Sequence, residues 1–188
     1  MPSNRQQSRS QSNRAAFCGL MVALSVALMI MGGVVPVATY AVPMFSAVLL
    51  LPVLIEYGWK SAVLAYVAVS LISLMLGFDK EAAFFYLFLG YYPILKFRLD
   101  RIHSRLLRIF LKAAIFNGAF ILMYLFLGFV LHMDAVLAEF GEMGRLMLIG
   151  FAVMLNICLF LYDRLLWPVI LIYVNRLRPQ LRLPPLEG

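Results

Sequence analysis

Apolar residues run through this chain in six blocks, each poor in charge and separated by short polar connections. The blocks cover about residues 15–31, 40–55, 61–77, 82–95, 105–131 and 145–162, and a further apolar stretch follows over 165–174. Strand-like alternation, the mark of a membrane barrel, is missing. A helix of about 20 apolar residues spans the hydrocarbon core, and with no water there its backbone groups pair within the segment. The pattern predicts an all-α polytopic membrane protein, a six-transmembrane-helix bundle with a single transmembrane domain over residues 15–175.

Local features shape each block. Helix 1 is expected to end at Gly32-Gly33. Pro43 and Pro52 remove backbone donors from helix 2 and should bend or shorten it. Helix 4 has fourteen uncharged residues, or roughly 21 Å of helix against a core of about 30 Å. It must thin the membrane, rely on snorkelling by Lys96, or line a wet cavity. Gly90-Tyr91-Tyr92-Pro93 should kink it, as structural punctuation or as a hinge. In helix 6 the pair Asp163-Arg164 is expected to interrupt the run, and Trp167-Pro168 favours an interfacial bend. The head, residues 1–14, is rich in Ser, Gln, Asn and Arg and reads as a disordered cytoplasmic tail; residues 176–188 form a second tail. A basic head before an apolar run also suits a signal peptide, but this run is too long and lacks a convincing cleavage site. It is read as an uncleaved span.

Composition sharpens the class. Hydrophobic residues make up 64% of the chain, charged residues 13%, and mean hydropathy is +0.93. The net charge of +7 raises nucleic acid as a partner, but the basic residues flank membrane spans and no aromatic–basic RNA motif accompanies them. With the N-terminus inside, thirteen of the sixteen lysines and arginines fall in cytoplasmic segments, only Lys80 and Arg145 fall outside, and Arg164 lies in helix 6. The outer connections lean acidic, with Asp79, Glu81, Asp134, Glu139 and Glu142. The positive-inside rule then places both termini in the cytoplasm, as a multi-pass protein of the cell membrane with the lipid bilayer and not nucleic acid as its surroundings.

Chemistry is sparse. Metalloprotease, nucleophile-elbow and phosphate-loop motifs are missing, so neither an enzyme nor a cofactor is expected. His103 and His132 fall on opposite sides of the membrane and cannot share a site. Cys18 and Cys158 lie inside apolar runs and read as packing residues. Polar groups facing an outer cavity would be Tyr40, Asp79, Lys80, Glu81, Tyr86, Tyr124, His132, Arg145 and, deeper, Asn156. Connection 32–39 is either a loop folded over the outer mouth or a plain turn. Asn117 and Asn156 stand out, because an amide in hydrocarbon seeks a partner across helices or borders water. Asp163 is either an inner-interface residue beside Arg164 or a proton-relay carboxylate.

Small residues Ala15, Gly19, Ala23 and Ala27 recur every four positions along helix 1, a face that admits a second backbone or packs within its own bundle. Ser61, Ala65, Ala68 and Ser73 form a looser set on helix 3, and together the two sets suggest a docking surface. The stretch Ala15-Ala16-Phe17-Cys18-Gly19-Leu20-Met21-Val22-Ala23-Leu24 resembles the alanine-rich first helix of the substrate-binding S components of energy-coupling factor (ECF) transporters, and size, helix number and basic head are similar too. That resemblance implies capture of a vitamin or related micronutrient in the outer half of the bundle. It also implies docking through Ala15, Gly19, Ala23 and Ala27 on a transmembrane coupling subunit that works with two ATP-binding subunits. A polar vitamin is held by aromatics around its apolar faces and a few fixed polar partners, a role that falls to Tyr40, Tyr86 and Tyr124 with Asn156 at the floor. The rival reading is a non-transport scaffold subunit of a cell-envelope or cell-shape assembly. A membrane enzyme built from the scattered polar residues is a third.

Overall fold

The structure, a computed structural model, describes residues 4–32, 40–76, 79–126 and 145–180. Regular structure there is entirely helical: α1 (Asn4–Gly32), α2 (Ala41–Val48), α3 (Leu51–Leu76), α4 (Lys80–Leu89), α5 (Tyr92–Leu99), α6 (Arg105–Leu125) and α7 (Arg145–Ile172). A π-helical turn, Tyr173–Leu177, and a last short helix, α8 (Arg178–Gln180), follow. Four stretches are long and apolar enough to cross a membrane: Gln11–Gly32, Leu51–Leu76, Arg105–Leu125 and Ala152–Gln180. The chain is therefore an all-helical membrane protein with four candidate spans among its described residues.

Several boundaries differ from expectation. The head is drawn into α1 from Asn4 onward; residues 4–18 contain no Pro or Gly, so the apolar turns beyond supply a nucleus from which the helix extends backward. The second block breaks at Leu49-Leu50, between α2 and α3, and the fourth breaks at Gly90-Tyr91, between α4 and α5. Neither reaches the length of a continuous span. By contrast, α7 runs unbroken past Asp163-Arg164 and through Pro168, and the irregularity falls later, in the π-helical turn. The expected end of helix 5 at 131, connection 33–39 and the last residues of the C-terminal tail lie outside the described residues.

The chain divides into two compact units, one running to Ile94 and the other starting at Leu95. The main apolar core belongs wholly to the first: Val26 and Met29 of α1 meet Ala47, Leu50, Val53, Ala62, Ala65 and Val69, with Ala82, Tyr86 and Ile94 closing it. Small residues let these helices approach closely. A side chain on Gly32 would collide with Val42, its Cβ falling 2.5 Å from that valine. Farther along α1, Ser25 and Ser46 donate to each other's carbonyls at 3.2 and 3.1 Å, both fully buried. Phe17 meets Tyr57 edge to ring at 5.7 Å, and Arg14 donates to Ser61 while its guanidinium lies over the Tyr57 ring. The register therefore runs antiparallel along α1, from Gly32·Val42 to Arg14·Tyr57. Between Tyr57 and Ser61 stands Gly58, at φ 75° and ψ −177°, a non-helical residue inside α3.

Beyond Gly58 the second arm of α3 pairs with the segment that follows it. Tyr66 stacks on Tyr86 at 5.9 Å, meets Tyr91 at 6.2 Å, and donates its hydroxyl to the carbonyl of Leu87. Leu87 lies in the last turn of α4, where carbonyls lack a partner within the helix, so Tyr66 supplies one at the break. Asp79 caps the start of α4 by accepting from the Ala82 N–H at 3.0 Å. In the second unit α6 and α7 pair antiparallel, as the matching of Lys112 with Asp163 and Asn117 with Asn156 shows.

Candidate functional site

Polar side chains link the helices of the second unit. Lys96 projects from α5, Asp100 from the turn after it, Lys112 from α6 and Asp163 from α7. Asp163 accepts from Lys96 Nζ at 2.8 Å and from Lys112 Nζ at 2.9 and 3.0 Å. Asp100 lies 3.1 Å from Lys96 Nζ and 2.6 Å from Lys112 Nζ. The four groups form a closed ring of alternating sign with no net charge. The ammonium groups lie inside, their side chains 8% and 10% exposed, while Asp163 and Asp100 sit nearer the rim at 21% and 37%. A buried lysine is costly unless paired, and here each has two carboxylates.

This removes one of the three alternatives for the fourth block and corrects one expectation. Lys96 does not snorkel; it turns inward to the carboxylates. Asp163 does not interrupt α7, because two lysines neutralise it and its helix continues unbroken. Asp100 escaped the sequence reading, although its four-residue spacing from Lys96 places the two on one helix face.

Along the same seam Asn117 and Asn156 exchange amide hydrogen bonds at 2.9 and 3.2 Å, and each also donates to the carbonyl four residues earlier, Ala113 or Ala152, at 2.8 Å. The partner across helices expected of each amide is thus the other. Asn156 also lies midway along an open apolar groove on α7, with Ile149, Val153, Ile157 and Phe160 among its lining.

The residues expected at a ligand divide between the units. In the first, Tyr40 is exposed, donates to Glu81 Oε1 at 2.6 Å and meets the ring of Phe85 at 5.3 Å. Tyr86 is fully buried in the core, stacked on Tyr66. In the second, Tyr124 packs against Phe120 at 4.7 Å and Asn156 sits in the amide pair. Tyr40 and Glu81 are brought together; His132, Asp134, Glu139 and Glu142 lie outside the described residues. Among those residues no group of three His, Cys, Asp or Glu is placed to hold a metal. Lys80 donates to the Leu74 carbonyl at 2.8 Å.

No protein-family profile, curated protein or solved structure matches this chain.

The two small-residue sets separate. Ala15, Gly19, Ala23 and Ala27 all lie on the exposed side of α1, away from buried Ser25, Val26 and Met29, and a Cβ added at Gly19 would meet nothing within 4 Å. None of the four belongs to the apolar core of the first unit. On α3 the reverse holds: Ser61, Ala65 and Ser73 are buried, so the two sets do not form one outward surface. Cys18 packs against the core, whereas Cys158 is exposed on α7.

Proposed function

We propose that this chain is the membrane-embedded substrate-binding subunit of an ATP-driven uptake transporter, of the ECF S-component kind, capturing a vitamin or related micronutrient from outside. The observation that carries the reading is the outward small-residue face of α1, with Ala15, Gly19, Ala23 and Ala27 exposed together. In lipid, apolar side chains gain nothing from one another over the acyl chains, so a face of small residues offers close backbone approach to a second helix. Its occupant is a transmembrane coupling subunit working with two ATP-binding subunits.

The registers of the first unit support a reading with six crossings. Arg14 touches residues on both sides of Gly58, while Tyr40 at the start of α2 meets Glu81 at the start of α4. On this reading residues 41–57 and 59–76 are two opposed passes, residues 80–99 are a third, and both termini are cytoplasmic. Broken passes of this kind are tolerated where protein or a cavity surrounds the freed backbone, and in transporters they border the substrate site. At the outer end, exposed Tyr40 with Glu81 and Phe85 offers the ligand an aromatic face and a carboxylate.

One observation favours the scaffold reading: Asn156, assigned to the ligand, already has Asn117 and the Ala152 carbonyl as partners. Affinity purification of the full chain from its own membranes separates the two. The transport reading expects an ATPase pair, a coupling subunit and a retained small molecule detectable by mass spectrometry. Gly19→Leu with Ala23→Leu should abolish recovery of those subunits and leave the helical signal and the retained molecule unchanged. Wild-type protein that brings down no ATPase pair, or a folded variant that brings it down undiminished, overturns the proposal.

A further inference from the structure

The ring in the second unit sorts the basic residues between α5 and α6 into two kinds. Lys96 and Lys112 are buried and neutralised by Asp100 and Asp163. Arg108 directs its guanidinium to the Asp100 carbonyl at 3.3 Å, and Arg98 also has a partner. Arg101 and Arg105 remain, exposed, and neither makes an ion pair or a side-chain hydrogen bond among the described residues. Because the ring cancels internally, their charge is uncompensated.

Large apolar side chains flank these arginines. Phe97, Leu106, Ile109 and Phe110 are all exposed. Such a mixture is costly in water but stable where headgroups meet acyl chains, since each kind of side chain finds its own phase there. Nucleic acid satisfies the cations and leaves the four apolar side chains in water; a phospholipid satisfies both. Guanidinium suits phosphate because its fork donates two parallel hydrogen bonds to two oxygens.

We propose that the α5–α6 connection is a docking surface for anionic phospholipid headgroups, with Arg101 and Arg105 holding the phosphate and the flanking apolar residues set among the acyl chains. This inference does not depend on the transport reading, since a scaffold subunit presents the same surface.

The test uses the purified full chain in neutral detergent, offered dioleoylphosphatidylglycerol or dioleoylphosphatidylcholine, with retained lipid counted by native mass spectrometry. Phosphatidylglycerol should be retained in preference, and added salt should weaken its retention. Arg101→Gln with Arg105→Gln should lower phosphatidylglycerol retention roughly thirtyfold, while Arg101→Lys with Arg105→Lys retains most of it. Equal retention of the two lipids by the wild type overturns the proposal, as does undiminished retention by a folded glutamine variant. Displacement of the lipid by millimolar inorganic phosphate also overturns it, by showing a free-phosphate site. If the glutamine variant loses its helical signal, the wild-type comparison of the two lipids decides alone.

Discussion

Asp163 holds two ammonium groups that have little other access to solvent, so its loss is felt through the charges it leaves behind. With Asp163→Asn, Lys96 and Lys112 share the single carboxylate of Asp100 in a half-buried place. Breaking a buried pair costs about 3–5 kcal/mol; with Asp163 partly exposed, a discount to about 2–3 kcal/mol is appropriate. Removing a charge of each sign is milder. Lys112→Met with Asp163→Leu leaves Lys96 paired with Asp100, a neutral remainder, and this double variant should unfold at a higher temperature in detergent than Asp163→Asn alone. The opposite order would show that the ring contributes packing and not charge compensation. The seam was half legible in the sequence: Asn117, Asn156 and Asp163 were visible as polar groups in apolar runs, and the amides did find a partner across helices. What stayed hidden was which cations meet Asp163, because Lys96 lies 67 residues away and Lys112 lies 51 away, and no local pattern encodes pairs so distant.

The helices show where hydrophobic pattern suffices and where backbone chemistry intervenes. Pattern located the cores of α1, α6 and α7, since long uncharged runs leave little alternative in lipid. It missed Leu49-Leu50 as a break and treated Gly58 as a connection without recognising its backbone state. At φ 75° and ψ −177° Gly58 occupies a region open essentially to glycine alone. No neighbour crowds it, because a Cβ there would meet nothing within 4 Å. Gly58→Ala should therefore cost about 1–3 kcal/mol purely through the backbone. Asparagine, which eases ordinary left-handed positions, should give no relief here. Thermal unfolding of Gly58→Ala and Gly58→Asn checks this, and an asparagine variant as stable as wild type would place the residue in a different conformation. The break at Gly90 has a different cause: its Cβ would lie 2.5 Å from the Tyr86 carbonyl, and Tyr66 satisfies the neighbouring carbonyl of Leu87.

For the molecule as a whole, the number of crossings turns on Gly58. If residues 41–57 and 59–76 are opposed passes, Lys60 lies at the cytoplasmic surface and Lys80 at the outer one. If Leu51–Leu76 is a single pass, Lys60 lies within the membrane. Cysteine placed at each position in turn, in a chain with Cys18 and Cys158 replaced by serine, should react with an impermeant maleimide at Lys80→Cys in intact cells and at Lys60→Cys only after lysis. An unreactive Lys60→Cys in lysed cells would remove one pair of crossings. The charge ring carries a further consequence for how such a chain is made. Lys112 leaves the ribosome 51 residues ahead of Asp163, a gap of about three to ten seconds at roughly 5–20 residues per second. Throughout that interval Lys96 and Lys112 have only the Asp100 carboxylate between them, so α6 has reason to wait at the mouth of the insertion machinery. Only when α7 emerges with its carboxylate does entry become favourable, so the last two long helices should enter the bilayer together, as a hairpin.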